Sequence, residues 1–288
     1  MISAIIKTMR PKQWAKSIFL FVALVFDRKL TNFPALLDTL LGAVLFSLLA
    51  SAIYVLNDIA DREEDRLHPD KKHRPIASGR LSLGTAWAVG LGLIVLVLPL
   101  AYLLEPQFLL IALLYIVLNL SYSAWFKHIP LIDVLVLASF YVLRVTAGVA
   151  LIDVKRFSPW LYVVTTLFAL FIGLGKRRAE LVLTADGTSN TRRVLDGYSI
   201  DLLDQLISIV SGTTIVSYSL YTFSAPNLPE NHTMMLTIPF VLYGIFRYLY
   251  LLQIGQGGSP EEIAFTDRPL QAAIMLWTLS VLIIFYIF

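Results

Sequence analysis

The 288-residue sequence contains no cysteine, which excludes disulfides, thiolate metal sites and cysteine nucleophiles. Charge is scarce too: 15% of residues are Asp, Glu, Lys or Arg, against about 25% in a soluble domain. The four histidines, His68, His73, His128 and His232, are scattered and form no zinc-binding spacing. There is no Walker-type phosphate loop, no nucleophile elbow, and no Pro/Gly/Ser-rich linker to mark a second domain. A net charge of +3 is too small to suggest nucleic acid as a partner. What is abundant is apolar surface. Hydrophobic residues make up 57% of the chain, and a mean hydropathy of +0.74 places it in a bilayer.

Residues 1–16 are basic and amphipathic, with Lys7, Arg10, Lys12 and Lys16 and an interfacial Trp14. No small-residue cleavage site follows, so a cleaved signal is not expected. Nine apolar segments come next, each read against the ~20 residues that span hydrocarbon. They lie at 17–29, 35–56, 83–103, 106–125, 131–150, 158–182, 199–222, 234–252 and 270–287, the first cut short by Asp27, Arg28 and Lys29. The expected fold is all-α: one polytopic membrane domain over 1–288, with nine transmembrane helices bundled around a cavity open to the cytoplasm and the bilayer. With the N-terminus inside, seventeen of twenty-three Lys and Arg residues fall on the inner side. The positive-inside rule then puts the N-terminus and the long loops, at 57–82, 176–198 and 253–269, in the cytoplasm and Phe288 outside.

The first long loop opens on Asn57-Asp58-Ile59-Ala60-Asp61-Arg62-Glu63-Glu64-Asp65. On a continuing helix Asn57, Asp61, Asp65 and Asp58 fall near about 0°, 40°, 80° and 100°. Three carboxylates in one quadrant repel one another unless a cation lies between them, and hard oxygens suit Mg²⁺ bridged to a diphosphate. The bland alternative is a solvated acidic cap after a membrane span. Just beyond, Lys71, Lys72, His73 and Arg74 supply the cations a diphosphate also needs, although positive-inside topology alone could place them there. Gly79-Arg80-Leu81-Ser82 reads as a turn that caps the third apolar helix.

Further on, Gly175-Lys176-Arg177-Arg178-Ala179-Glu180-Leu181 closes the sixth segment, with Lys176 and Glu180 on one helical face. Asp196, Tyr198, Asp201 and Asp204 read as the start of the seventh helix, where acids are also favoured by the helix dipole. Arg144 lies inside the fifth segment and Asp133 near its inner end. An ionisable group there costs about 2.5–3.5 kcal/mol to insert, so Arg144 is expected to face a polar cavity or a structural partner. Lys16 and Asp267-Arg268 are placed on the cytoplasmic side.

At these residues the chain resembles the UbiA-type intramembrane prenyltransferase superfamily, whose N-D-x-x-D-x-x-x-D motif is matched by Asn57, Asp58, Asp61 and Asp65. The superfamily's second acidic motif, D-x-x-x-D, is replaced here by Lys176-Arg177-Arg178-Ala179-Glu180-Leu181. That replacement is similar to the decaprenyl-phosphate phosphoribosyltransferase branch. So are Arg10-Pro11-Lys12-Gln13-Trp14-Ala15-Lys16, His68-Pro69 through Gly79, and Pro260-Glu261-Glu262 with Asp267-Arg268-Pro269-Leu270. Ser17 and Arg178 depart from the branch, which usually has Asn and an aromatic there.

The resemblance implies an enzyme of a prokaryotic cytoplasmic membrane that uses Mg²⁺. Its donor would be 5-phosphoribosyl 1-diphosphate, its acceptor a polyprenyl phosphate, and its product a precursor of cell-envelope arabinose. Homo-oligomerisation is left open. Asn57, Asp61 and Asp65, aided by Asp58, are expected to hold the metal. Lys16, Lys72, Arg74, Arg144, Lys176 and Arg177 are expected to bind substrate, with Glu180 and Tyr198 positioning ribose. Two rivals stand beside this reading: transfer of a prenyl group to a lipophilic acceptor, and a transporter or scaffold with a cation-binding mouth.

Overall fold

A computed structural model describes residues 1–68, 71–152, 154, 158–185, 193–225, 228–254 and 260–287. Pro69, Lys155, Arg156, Arg192 and the centre of the 176–198 loop lie outside the described residues, as do the side chains of Glu261 and Glu262. The described residues are helical, with no strand among them. In chain order the α-helices are α1 (Ile2–Met9), α2 (Phe21–Phe26), α3 (Phe33–Ala60), α4 (Arg62–Leu67), α5 (Leu83–Leu104) and α6 (Pro106–Ala124). Then come α7 (Ile132–Ala150), α8 (Pro159–Ala185), α9 (Ile200–Ser224), α10 (Ile238–Gln253), α11 (Pro260–Thr266) and α12 (Arg268–Tyr286).

Eight of the described helices are long and apolar enough to cross a membrane, and they match the second to ninth predicted segments. The first segment is built differently. A 3-10 helix, Pro11–Leu20, runs straight into the six-residue α2. Its pitch explains how so short a segment reaches far. At about 2.0 Å per 3-10 residue and 1.5 Å per α residue, Pro11–Phe26 extends about 29 Å, close to the hydrocarbon thickness of about 30 Å.

Where a helix starts beside a bilayer, its first N–H groups need side-chain acceptors, because lipid supplies none. Among the described residues the chain provides them at five starts. Asn32 accepts from Ala35 N ahead of α3, Ser82 from Thr85 N ahead of α5, and Glu105 from Gln107 N ahead of α6. Ser199 accepts from Leu202 N and Asp267 from Leu270 N, ahead of α9 and α12. Gly79 takes φ +76, and Ser82 then caps α5, as the Gly-Arg-Leu-Ser turn predicts.

The chain divides into two compact units. The first comprises Met1–Val25, Lys29–Trp125 and Leu143–Asp153, and the second Phe26–Arg28, Phe126–Val142 and Val154–Phe288. In the first unit α3 is the axis, packed against α1, the 3-10 helix, α5 and α6. Its Phe46, Leu49, Ala52, Ile53 and Val55 are buried, whereas α5 and α6 expose Val95, Leu103, Leu110 and Val117, an apolar outer surface suited to lipid. In the second unit α8 lies along α9, and α10 packs on α12. Phe171, Leu203, Ile207, Tyr248 and Leu251 form its core.

Small residues permit the closest approaches, as is usual between membrane helices. A Cβ on Gly148 would stand 2.0 Å from the carbonyl oxygen of Leu20 and 2.8 Å from its carbon, and backbone cannot move aside. A Cβ on Gly42 would instead meet Cδ1 of Leu151 at 2.2 Å, the mobile end of a side chain. Gly148→Ala is therefore expected to destabilise by about 1–3 kcal/mol or more through overpacking, and Gly42→Ala by much less. Thermal unfolding of the two variants in nanodiscs checks this; equal melting temperatures would contradict it.

Candidate functional site

The acidic motif sits where α3 hands over to α4. The helix does not run unbroken through it, as the predicted angles assumed. α3 ends at Ala60, and Asp61 forms a one-residue turn at φ −85 and ψ 7. The break is shallow: Asp61 N–H still donates to Asn57 O and Asp65 N–H to Asp61 O, both at 2.8 Å. The predicted face therefore survives in part.

Asp58 and Asp65 are both buried, at 3% and 2% exposure, and Arg74 ties them together. Its Nη1 donates to Asp58 Oδ1 at 3.0 Å and to Asp65 Oδ2 at 2.7 Å. A second guanidinium, that of Arg10, donates through Nη2 to the same Asp58 oxygen at 2.5 Å. Arg10 was not among the predicted site residues, because it lies 48 residues from its partner; only the N-terminal motif that contains it signalled interest. Asn57 and Asp61 are half-buried, and Lys72 is exposed on the 3-10 turn Lys71–His73. Lys16 is half-buried on the 3-10 helix Pro11–Leu20. Among the described residues no group of three or more His, Cys, Asp or Glu side chains is placed to hold a metal ion.

Arg144, in the same unit, is buried. Its Nη2 donates to Tyr115 Oη at 3.0 Å, and its guanidinium lies 5.3 Å from the Phe46 ring centre and 5.2 Å from that of Tyr115. Cation–π contact and a phenol thus share the cost of placing this charge at membrane depth.

In the second unit, Asp133 gathers two of the other predicted residues. Its Oδ2 accepts from Arg177 Nε at 2.7 Å, and its Oδ1 accepts from Tyr198 Oη at 2.6 Å. Tyr198 Oη in turn accepts the Leu131 N–H at 2.7 Å, which holds Leu131 at φ +67, a conformation side chains disfavour. Arg177 Nη1 donates to Glu180 Oε2 at 2.6 Å. Asp133 is 0% and Arg177 1% exposed, whereas Glu180 retains 26% of its side-chain surface. Burial, reinforced by the hydrogen bond to Asp133, pushes the Tyr198 phenol well above its ordinary pKa, so it stays a donor at working pH. Lys176 is half-buried one residue earlier on α8.

Two further predictions are adjusted. Asp196 and Tyr198 do not begin the seventh long helix. They lie in and just after a 3-10 turn, Arg193–Gly197, and α9 starts at Ile200 because Ser199 caps it. Arg178, the departure from the branch pattern, is a clamp between helix ends. Its Nε and Nη2 reach both oxygens of Asp204, at 2.5 and 3.2 Å, and Nη1 donates to Leu252 O at 2.9 Å. Asp267 caps α12 and pairs with Arg247 at 2.8 Å, whose hydrogen bonds hold its carboxyl below the ordinary range.

Comparison with known proteins gives a consistent result. The model of the UbiA prenyltransferase family matches residues 17–266, which runs across both units. The chain is 32% identical over 292 residues to a decaprenyl-phosphate phosphoribosyltransferase of Corynebacterium glutamicum, covering 98% of this chain and 86% of that one. It is 30% identical over 285 residues to the Mycobacterium tuberculosis protein of the same name, covering 98% and 94%. Among solved structures, a UbiA homolog from Archaeoglobus fulgidus bound to DMAPP and Mg²⁺ superimposes with a TM-score of 0.72, at 19% identity and 99% coverage of both chains. At that identity the likeness speaks for the fold. The family match, with eight apolar spans among the described residues, makes the chain an integral membrane protein.

Proposed function

Because the chain belongs to the UbiA prenyltransferase family, we propose that it transfers 5-phosphoribose from 5-phosphoribosyl 1-diphosphate to a decaprenyl-type polyprenyl phosphate. The observation that carries this reading is near-full-length similarity to two chains named decaprenyl-phosphate phosphoribosyltransferase. Lys176, in the stretch that stands where the second acidic motif is usual, supports it, whereas Arg177 and Arg178 are taken up by Asp133 and Asp204. A highly anionic sugar donor needs cations there.

The bond between the anomeric carbon and diphosphate breaks, and an oxygen of the lipid phosphate forms the new bond to that carbon. Diphosphate leaves. The lipid phosphate is already anionic at neutral pH, so no strong general base is required.

The residues fit Mg²⁺. Asp58 and Asp65 bring hard carboxylate oxygens onto one cationic nitrogen, that of Arg74, and so already share a positive partner. Mg²⁺ takes one or two carboxylates and completes its shell from substrate phosphates and water. Asn57, Asp61 and Asp65, with Asp58, would hold it, and when bound it neutralises charge growing on the leaving diphosphate. Arg74, Lys72 and Lys16 bind phosphate oxygens; Lys176 and Glu180 contact donor or acceptor. Arg177 and Tyr198 act as positioning residues, since Asp133 and Glu180 accept their hydrogen bonds. Arg144, braced by Phe46 and Tyr115, supplies positive charge at membrane depth toward the lipid phosphate.

In this reading 1–288 works as one domain, and Pro11–Phe26 makes the ninth crossing. The N-terminus, the acidic motif and a polar cavity face the cytoplasm of a prokaryotic inner membrane, with the C-terminus outside.

The test uses the protein in lipid nanodiscs with Mg²⁺, long-chain polyprenyl phosphate and ribose-labelled 5-phosphoribosyl 1-diphosphate. Label is expected in the organic phase, lost with EDTA and restored by excess Mg²⁺. No label there, with prenyl diphosphate consumed when it is offered instead, would return the chain to prenyl transfer.

A further inference from the structure

We infer that Arg10 is a phosphate-binding residue of the donor site, an assignment that rests on the function proposed above and extends it to the N-terminal segment. Arg10 is the left-handed C-cap of α1, at φ 53 and ψ 61. That conformation costs about 1–2 kcal/mol for a residue with a Cβ, so its surroundings must hold it. Ser51 Oγ donates to the Met9 carbonyl at 2.9 Å, and Trp14 Nε1 donates to the same Ser51 oxygen at 2.9 Å. The Met9 backbone before Arg10 and the Trp14 side chain after it are thereby tied to Ser51 of α3. The side chain is laid across α3, with its guanidinium 4.9 Å from the Tyr54 ring centre and its Nη2 on Asp58.

The electrostatics say what this placement serves. Two guanidiniums, of Arg10 and Arg74, converge on one oxygen of Asp58. They form an outer layer, 32% and 27% exposed, over carboxylates that are 3% exposed. Two Arg against Asp58, Asp61 and Asp65 leave the group with one negative charge in excess. A divalent cation on the carboxylates makes it net positive, and the partly exposed guanidiniums then favour an anion. A diphosphate suits that sign of charge and the planar donor geometry.

A role limited to holding Asp58 in place makes the opposite prediction about metal affinity, which allows a clean test. Full-length protein in nanodiscs is titrated with Mn²⁺ by electron paramagnetic resonance, without and with inorganic diphosphate. In Arg10→Gln, removing a positive charge beside the carboxylates should leave Mn²⁺ affinity unchanged or raise it. Diphosphate affinity in the presence of Mn²⁺ should fall at least tenfold, and Arg10→Lys, which keeps the charge, should recover part of it. Unchanged diphosphate affinity in Arg10→Gln overturns the assignment. So does a joint loss of Mn²⁺ and diphosphate binding, which would make Arg10 a brace for Asp58. If the wild type binds both probes and Arg10→Gln shows the predicted split, but no ribose is transferred, the donor identity fails and the Arg10 assignment stands.

Discussion

Replacing Asp133 by alanine is expected to destabilise the protein by about 3–5 kcal/mol, the usual cost of stranding one member of a buried ion pair. Arg177 is 1% exposed and cannot shed its proton, so the charge stays in place when its counterion is removed. Glu180 remains at 2.6 Å but is partly in solvent, and compensates only in part. The same substitution takes away the acceptor for Tyr198 Oη, whose oxygen receives the N–H of the positive-φ Leu131. The connection entering α7 should loosen as well. In thermal unfolding this amounts to a fall of roughly 10 °C in melting temperature. Asp133→Asn keeps an acceptor without the charge and should fall between the two. An Asp133→Ala protein that melts with the wild type would show that the network contributes little.

Asp61→Ala should do the reverse, with activity lost by at least about 100-fold and stability retained. The backbone at Asp61 is unstrained, and its two 2.8 Å helix-type hydrogen bonds run through main-chain atoms that alanine keeps. What disappears is one carboxylate of the proposed Mg²⁺–diphosphate site. Ribose transfer into lipid, measured beside the melting temperature, separates the two effects. Near-wild-type turnover in Asp61→Ala would remove the metal role from this residue, whereas a collapse in melting temperature would make it structural.

These two aspartates differ in how far the sequence alone could explain them. Asp61 belongs to a motif whose members lie within nine residues, so helical geometry places them near one another whatever the rest of the chain does. The only local error was the uninterrupted helix, which the turn at Asp61 breaks. Asp133 read as an ionisable residue near a helix end, nothing more. Its partners stand 44 and 65 residues away, and no local period points to them. Arg10 is similar: its motif was visible, but its contact with Asp58 was not.

The sequence by itself determined that the chain lives in a membrane, where its long helices run, and where a cluster of oxygen-bearing side chains lies. Each of these follows from length, hydropathy or spacing along a single helix, quantities set over one to twenty residues. The tertiary structure decided which charges meet. It put Arg10 and Arg74 on Asp58, Arg177 and Tyr198 on Asp133, Arg178 on Asp204, and Gly148 against the Leu20 carbonyl. The physical reason is the cost of an unpaired charge or polar group away from water. That cost favours a partner for such groups, while leaving the choice of partner to the packing that brings distant helices together.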